Sequence, residues 1–355
     1  MNITPDLLTH QDGSPITPES WSQRRKELGD IIIDHQFGGM PPEPDSIDII
    51  QRASSNVRHW PGVQYNTYEI RVSFTQNQVI TLTLSLWIPP GDGPFPVLLD
   101  ADGCWRYFND DVISKILARG NIAASVDRTE AAADNKTEYR NTGLYRLFPD
   151  AKFGVCSAWA WAIHRCIDAL TTFPKVTSDA IAITGHSRGG KTALLAGATD
   201  ERIAITNPNN SGIGGAGLHR LKMEGSEVVD SFFGSGNIFW FGQEFANHRH
   251  RDAELPYDNH FLHALVAPRG LLLTEAYEDH SANPAGTYAA AQATHKVYNL
   301  LNSKETIGWP YRESGHAHMP EDYTALLDFM DRHLHNRQLK RDFQRNIYPD
   351  LNEYL

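Results

Sequence analysis

Hydrophobic and polar residues alternate along residues 68–74 and 79–88, and many of the hydrophobic ones are β-branched or aromatic. Alternation with a period of two predicts strands that are buried on one face. The polar residues 76–77 lie between the two segments, so we expect an antiparallel pair. Two shorter apolar runs, at 95–99 and 122–126, are typical of strands buried in a parallel sheet.

From residue 158 onwards, predicted helices and strands alternate. Within 158–170, apolar residues recur at i, i+4, i+7, i+8 and i+11, which places them on one face of a helix. Further strands are predicted at 180–184, 202–206, 270–274 and 305–311, and further helices at 191–198 and after Pro320. This alternation predicts a three-layer α/β sandwich, a mostly parallel sheet with helices on both faces.

The N-terminal residues show a different pattern. The sequence Thr-Pro-Glu at 17–19 is typical of a helix start, and we expect this helix to end before Gly38. The proline-rich stretch 41–45 predicts a connector. We therefore expect a helical extension and connector over residues 1–62 and a single α/β catalytic domain over residues 63–355.

Composition excludes several classes of protein. The chain has 355 residues and a formal net charge of −11 without long basic runs, which argues against a nucleic-acid binder. No apolar run reaches ten residues, so we expect no membrane span. Three cysteines are too few for a disulfide scaffold. The N-terminus lacks the features of a secretory signal, which predicts a cytoplasmic protein, or a periplasmic or secreted one if a signal was removed.

The strongest local motif is Gly-His-Ser-Arg-Gly at 185–189, which matches the G-x-S-x-G nucleophile elbow. It follows the predicted strand 180–184 and leads into the predicted helix 191–198. The residues that flank the serine in so tight a turn must be small, and the helix N-terminus stabilises negative charge. We therefore predict Ser187 as a nucleophile; the alternative is an ordinary glycine-rich turn.

A serine nucleophile needs a base, and in α/β-hydrolases the acid and then the histidine follow the serine in the chain. His316 is the best-placed histidine, because it follows a late strand and precedes the helix that Pro320 opens. His318 is the neighbouring alternative. For the acid, Glu278 and Asp279 both follow the preceding strand, and Asp279 is preferred because it lies deeper in the loop.

Hydrogen-bond donors for an oxyanion are expected on both sides of the serine. The backbone N–H of Arg188 is the first, and the loop after the strand 95–99, near Gly103, is expected to supply the second. The guanidinium of Arg188 is a third candidate. Lys191 lies one turn into the same helix and is expected to face the same cleft. Two cations beside the nucleophile indicate a substrate rich in hydroxyls or carrying an anionic group.

Two other motifs indicate different chemistry. His316 and His318 are spaced like a metal-binding pair, but no HExxH or CxxC motif supplies further ligands, so we expect no metal. Residues 212–217 match the dinucleotide fingerprint G-x-G-x-x-G. They follow the polar stretch 207–211, which we predict as a loop, and no βαβ unit with a ribose-binding acid surrounds them, so we expect no nucleotide cofactor.

Five segments, at 153–161, 184–191, 209–216, 255–260 and 315–322, resemble bacterial glucuronoyl esterases. The related pectin methylesterase-like carbohydrate esterases share much of this pattern. The similarity extends over residues 68–334 and includes a Ser-Arg-x-Gly-Lys signature at 187–191. The resemblance implies an α/β-hydrolase that cleaves esters of glucuronic or galacturonic acid without a metal.

The resemblance also implies roles for individual residues. It implies Ser187 as nucleophile, Arg188 as oxyanion donor, Lys191 as a sugar-hydroxyl contact and His316 as base. Trp240 matches a position that lines the sugar site, although a core position is the alternative for this aromatic residue. His260, in the segment 255–260, is a further expected substrate contact. Many members carry the acid where this chain has Asn210, which leaves the acid to Glu278 or Asp279, and Ser281 stands where a tryptophan is common.

The sequence therefore predicts a serine ester hydrolase that forms an acyl-enzyme on a small-molecule or oligosaccharide ester of a uronic acid or a related carbohydrate. A serine peptidase is one alternative, because Gly-His-Ser-x-Gly-Gly also occurs in prolyl-oligopeptidase-like domains. About sixty residues before the domain are too few for the propeller of those peptidases. An acetyl esterase acting on a sugar and a non-enzymatic carbohydrate-binding protein are the others. The oligomeric state is left open.

Overall fold

The computed structural model describes residues 4–354, except residues 11 and 339. The helices of this part of the chain are α1 (Trp21–Phe37), α2 (Asp110–Ala118), α3 (Gly143–Leu147), α4 (Val155–Leu170), α5 (Arg188–Thr199), α6 (Val229–Ser235), α7 (Gln243–Ala246), α8 (His260–Val266), α9 (Pro284–Leu300) and α10 (Pro320–His333). The strands are β1 (Ser46–Asn56), β2 (Gln64–Phe74), β3 (Gln78–Ile88), β4 (Phe95–Asp100), β5 (Ile122–Val126), β6 (Val176–His186), β7 (Ile203–Asn209), β8 (Gly270–Leu272), β9 (Glu275–Ala276), β10 (Ile307–Gly308) and β11 (Tyr311–Arg312). Over the described residues, no helix combines the length and the apolar character that crossing a membrane requires.

One large sheet of nine strands organises the molecule, in the order β1-β2-β3-β5-β4-β6-β7-β8-β10. The three pairs from β1 to β5 are antiparallel, and the remaining pairs are parallel. Parallel neighbours need connections that cross a face of the sheet, and helices supply them here. The predicted mostly parallel sheet is confirmed.

The two faces of the sheet carry separate hydrophobic cores. Leu98 of β4 packs in one core with residues of α2 and α10. Its neighbours Val97 and Leu99 belong to the other core, with residues of α4 and α5. Because successive side chains of a strand point to opposite faces, both faces are covered by helices. This is the predicted three-layer α/β sandwich.

The late strands differ from their predicted bounds. The segment predicted at 270–274 is a strand only at Gly270–Leu272, and β9 begins just after the segment; the segment predicted at 305–311 contains β10 and the first residue of β11. β9 and β11 pair with each other in parallel and form a separate two-stranded sheet. The loops that follow these two strands therefore lie side by side, close to the carboxyl ends of β6 and β7.

The first helix ends where the sequence predicts and begins later. Gly38 is in the left-handed conformation (φ 72°), and its N–H donates to Asp34 O. The predicted start at 17–19 is wrong, because α1 begins at Trp21. Thr17 N–H donates to Ser20 Oγ (3.0 Å) and Ser20 N–H donates to Thr17 Oγ1 (3.3 Å), so these residues form a turn before the helix.

The edge strand β1 and the helices α2 and α9 were not predicted. Most side chains of β1 are exposed, so the strand lacks the alternation by which β2 and β3 are recognised. The boundary expected at residue 62 lies between β1 and β2, and the N-terminal segment therefore contributes a strand to the large sheet. The first half of α9 is buried on all sides and rich in alanine, so it shows no amphipathic pattern.

Candidate active site

β6 passes into α5 through Ser187, whose φ of 56° and ψ of −119° are rare for a residue with a side chain. The turn is as crowded as the sequence predicts. A Cβ atom on Gly185 would lie 2.3 Å from the carbonyl oxygen of Gly189, and one on Gly189 would lie 2.0 Å from Asp102 Oδ1. Only glycine fits at these two positions, and the bend presents the serine hydroxyl at the carboxyl edge of the sheet.

His316 lies between Ser187 and Asp279 and contacts both. Its Nε2 is 3.0 Å from Ser187 Oγ, and its Nδ1 is 2.6 Å from Asp279 Oδ2. Asp279 follows β9 and His316 follows β11, so the small two-stranded sheet places both loops beside the nucleophile elbow. The arrangement has the geometry of a nucleophile, a base and an acid that orients the base.

The two candidate acids occupy different environments. Asp279 is 3% exposed and accepts hydrogen bonds from His316, from Asn210 Nδ2 (2.6 Å) and from Ser281 Oγ (2.8 Å). Burial acts to raise the pKa of Asp279, but these hydrogen bonds outweigh it and lower the pKa below its usual range. Glu278 is exposed and, within the described residues, makes no hydrogen bond or ion pair. The geometry therefore favours Asp279 over Glu278.

Two other histidines, His186 and His318, lie near His316, but their rings make hydrogen bonds to residues other than Ser187. The His186 ring centroid is 4.6 Å from that of His316, and its Nδ1 is 2.6 Å from Asn209 Oδ1. Burial lowers the pKa of His186 to about 4 and that of His318 well below its ordinary value. His318 Nδ1 is bound to the hydroxyl of Tyr323 (2.9 Å), so the structure does not support His318 as the alternative base.

The loop that carries His316 is held by Arg312, a residue that the sequence analysis missed. Arg312 Nε donates to Asp322 Oδ2 (2.9 Å), Nη1 donates to the carbonyl of Gly315 (3.2 Å), and Nη2 donates to the carbonyl of Ala317. These carbonyls flank His316 directly. An arginine at the end of a short strand gives no sequence signal for this role, because its acceptors are backbone atoms.

The predicted oxyanion donors lie on both sides of the elbow. Arg188 is the first residue of α5, where backbone N–H groups lack acceptors within the helix. Gly103 packs so closely on β5 that a Cβ atom would lie 2.7 Å from Ser125 Oγ. The preceding residue, Asp102, accepts a hydrogen bond from the N–H of His186 (2.7 Å), which fixes this loop against the elbow. A donor role for Gly103 stays a prediction.

Lys191 is buried and has no free N–H donor in this conformation. Its ammonium donates to the carbonyls of Ser211 (2.6 Å) and Ile213 (2.7 Å) and to Glu227 Oε2 (3.2 Å). An ammonium has three N–H groups, so all of them are used within the protein. The expectation that Lys191 contacts sugar hydroxyls is therefore not supported; the lysine holds the loop after β7 against α5.

The other two predicted substrate contacts have different outcomes. Trp240 lies beside the elbow, with its ring centroid 4.4 Å from the Arg188 guanidinium carbon. Its place in the sugar site stays a prediction. His260 is fully buried, and its Nε2 is 2.8 Å from the carbonyl of Pro5, so it cannot reach a ligand from solvent. The expectation that His260 contacts substrate does not hold.

The glycine-rich segment 212–217 is packed inside the protein, and its glycines are explained by this packing. The segment 207–209, predicted as part of a polar loop, is the end of β7, and residues 212–217 are buried. A Cβ atom on Gly214 would lie 2.5 Å from the ring of Phe241, so packing requires this glycine. The described part of the chain contains no group of three or more His, Cys, Asp or Glu side chains that could hold a metal ion.

A nucleophile elbow at the carboxyl edge of a mostly parallel sheet, followed in the chain by an acid and a histidine, defines a serine hydrolase with the α/β-hydrolase fold. A family model described as glucuronyl esterase of fungi matches residues 70–302. The chain belongs to the glucuronoyl esterase family. The resemblance that the sequence motifs carry is thereby confirmed, and it extends to fungal members.

Individual relatives cover nearly the whole chain. The 4-O-methyl-glucuronoyl methylesterase of Schizophyllum commune is 31% identical over 96% of this chain and 84% of the relative. The corresponding enzyme 1 of Wolfiporia cocos is 30% identical over 93% of this chain and 80% of the relative. A carbohydrate esterase family 15 glucuronoyl esterase from Caldicellulosiruptor kristjansonii superimposes with a TM-score of 0.85 at 29% identity, covering 97% of this chain and 94% of that one.

Proposed function

We propose that this protein hydrolyses esters of the carboxyl group of glucuronic acid through an acyl-enzyme on Ser187. The observation that carries the proposal is the position of His316, with Nε2 3.0 Å from Ser187 Oγ and Nδ1 2.6 Å from Asp279 Oδ2. The substrate class is supported by the family and by the 4-O-methyl-glucuronoyl methylesterases of Schizophyllum commune and Wolfiporia cocos. The reaction that we propose uses neither a metal nor an organic cofactor.

In the first half of the reaction, Ser187 Oγ attacks the ester carbonyl carbon while His316 Nε2 takes the hydroxyl proton. The Asp279 carboxylate accepts a hydrogen bond from His316 Nδ1–H and stabilises the imidazolium that forms. The tetrahedral intermediate then expels the alcohol, which receives the proton from His316. The uronoyl group stays bound to Ser187 as an ester.

In the second half, water attacks the carbonyl carbon of the uronoyl-enzyme and His316 Nε2 takes its proton. The new intermediate releases Ser187 Oγ, which recovers the proton from His316, and the free uronic acid leaves. Negative charge develops on the carbonyl oxygen in both halves. The backbone N–H of Arg188, its guanidinium and the backbone near Gly103 are the groups that we propose for stabilising this charge.

The proposal is tested with a panel of methyl and benzyl esters of glucuronate and galacturonate, together with sugar acetates and peptide amides. We expect hydrolysis of the glucuronate esters and none of the amides. Ser187→Ala is expected to lower kcat by a factor on the order of 10⁶, with unchanged thermal unfolding. A Ser187→Ala variant with wild-type activity, or a wild-type protein that leaves every uronate ester intact, would contradict the proposal.

A further inference from the structure

Asp134 contacts the residue that follows the nucleophile. Its Oδ2 is 3.1 Å from Arg188 Nη1, and its Oδ1 accepts a hydrogen bond from Trp240 Nε1 (3.2 Å). The ring of Trp240 lies 4.4 Å from the Arg188 guanidinium carbon, within the range of a cation–π contact. One carboxylate therefore holds both the guanidinium and the aromatic ring against which the guanidinium packs.

Asp134 is itself anchored to a buried cation. Both terminal nitrogens of Arg128 are 3.4 Å from Asp134 Oδ2, the same oxygen that contacts Arg188. Arg128 Nε donates to Asp102 Oδ1 (2.8 Å), and Asp102 Oδ2 accepts the N–H of His186 (2.7 Å). Acidic and basic side chains therefore alternate in a chain of charges: Asp102, Arg128, Asp134 and Arg188. Its first member contacts the N–H of His186, just before Ser187, and its last member directly follows Ser187.

Arg128 is more deeply buried than Arg188. The side chain of Arg128 is 0% exposed, and its guanidinium carbon lies 4.0 Å from the ring of Trp159 and 4.7 Å from that of Trp105. The side chain of Arg188 is 32% exposed, and among the described residues Asp134 is the acidic group with which it pairs. Loss of the Asp134 charge would therefore release Arg188 and leave Arg128 in place.

We infer that Asp134 is a positioning residue that fixes the Arg188 guanidinium beside Ser187, so that the guanidinium stabilises the oxyanion of the ester substrate. The inference rests on the proposed function, because it assigns Asp134 to the same reaction. Asp134 shares its negative charge between two guanidinium groups and so neutralises Arg188 only in part. The remaining positive charge of Arg188 is available when the carbonyl oxygen becomes negative, without a change in the position of the side chain.

The test is a double-mutant cycle on the hydrolysis of a glucuronate methyl ester. Asp134→Asn keeps the shape of the side chain and removes its charge, and we expect kcat to fall about 10- to 100-fold, the range for losing a hydrogen bond between charged groups. KM is expected to change far less, because the lost interaction acts on the oxyanion. The double variant Asp134→Asn/Arg188→Ala is expected to be no slower than Arg188→Ala alone, because Asp134 acts through Arg188.

A matched control is available at Asp168, which also bridges two arginines, with distances of 3.0 Å to Arg165 Nε and 2.7 Å to Arg202 Nη1. Its side chain is 20% exposed, against 14% for Asp134. Asp168 lies on α4 and pairs with Arg202, the residue before β7, at the end of the strand opposite the nucleophile edge. We expect Asp168→Asn to retain wild-type kcat.

Two results would overturn the inference: equal kcat values for Asp134→Asn and Asp168→Asn, or independent, multiplicative losses in the double variant. If Asp134→Asn fails to fold, the kcat values of Asp134→Glu and Asp168→Glu are compared instead. We expect kcat to fall several-fold in the first and to stay unchanged in the second. A failure of the proposed function is recognised separately, because the wild-type protein would then leave the uronate ester intact.

Discussion

Asn210 Nδ2 donates a 2.6 Å hydrogen bond to Asp279 Oδ2, the same oxygen that lies 2.6 Å from His316 Nδ1. Asn210 stands where the family resemblance leads one to expect an acid. The residue that replaces this acid therefore supports the carboxylate that faces the histidine. The backbone of Asn210 has a φ of 42°, and its N–H donates a hydrogen bond to the carbonyl of Thr274 (3.1 Å), which lies between β8 and β9.

We expect Asp279→Asn to lower kcat by a factor of about 10³–10⁴, because an amide does not stabilise the imidazolium form of His316. Glu278→Gln is the matched control, since Glu278 is the adjacent acid and is exposed. Its kcat is expected to equal that of the wild-type protein. Steady-state kinetics on a glucuronate methyl ester measure both, and similar losses in the two variants would reject Asp279 as the acid.

Removal of the Asn210 amide is expected to raise the pKa of Asp279, because one of the hydrogen bonds that lower it is lost. A lowered carboxyl pKa stabilises the fold above the unfolded-state pKa near 4, and this contribution disappears as the pH falls through the folded-state pKa. Asn210→Ala is therefore expected to lose about 1–2 kcal/mol of unfolding free energy at pH 7 and less below pH 4.

The control for this variant is Asn247→Ala. Asn247 Nδ2 also donates to a carboxylate, Glu244 Oε2 (3.1 Å), but the pair is exposed. We expect it to change the unfolding free energy by less than about 0.5 kcal/mol. Urea unfolding at several pH values gives both numbers, and a loss in Asn210→Ala that is as large at pH 3 as at pH 7 would contradict the prediction.

His219 is fully buried, and burial lowers its pKa from 6.5 to about 4. Unfolding therefore takes up a proton between these two values, and the contribution of His219 to stability is complete above pH 6.5 and is lost as the pH falls towards 4. At about 1.4 kcal/mol per pKa unit, the loss is on the order of 3 kcal/mol.

We expect His219→Gln to flatten the pH dependence of the unfolding free energy between pH 6.5 and 4. His59→Gln, at a histidine whose side chain is 61% exposed, is expected to leave the dependence unchanged. Equal slopes for wild-type protein and His219→Gln would show that other groups cause the acid destabilisation.

Arg312→Lys is expected to lower kcat about tenfold or more, because Nε, Nη1 and Nη2 of the planar guanidinium each reach a different acceptor, and the donors of a compact ammonium are not spaced in this way. The control is Arg337→Lys, at an arginine that pairs with Asp331 on α10 and whose side chain is 46% exposed. We expect its kcat to stay at the wild-type value. A kcat of Arg312→Lys within twofold of that control would mean that Arg312 does not position the base.

The sequence alone predicts the bend at Ser187, because the residues that determine its shape are neighbours in the chain. The bend at Ser187 needs glycine at 185 and 189 whatever the rest of the chain does, and these glycines stand in the motif. The strand before the bend and its neighbours in the sheet contain short apolar runs, which predict a parallel sheet. His316 was found because a loop that follows a late parallel strand must lie at the same edge as the elbow.

The choice between neighbouring candidates was decided by the tertiary structure alone. Glu278 and Asp279 are chemically similar and adjacent, and only the turn after β9 determines that one carboxylate is buried against His316 and the other is exposed. His260 belongs to a segment typical of the family, yet packing places it against Pro5. Lys191 follows Ser187 by one helical turn, but its acceptors lie 20 to 36 residues further along the chain.

By itself, the sequence determined the fold class and the proposed nucleophile and base of this protein, because periodicity and turn stereochemistry act over a few residues. The tertiary structure decided which of two adjacent carboxylates contacts His316, the hydrogen bonds of Arg312 to the histidine loop, and the chain of charges from Asp102 to Arg188. His316 and Ser187 are 129 positions apart, and Arg188 and Asp134 are 54 apart. Such pairs are set by the order of strands in the sheet and by the paths of the loops, which no local pattern of residues records.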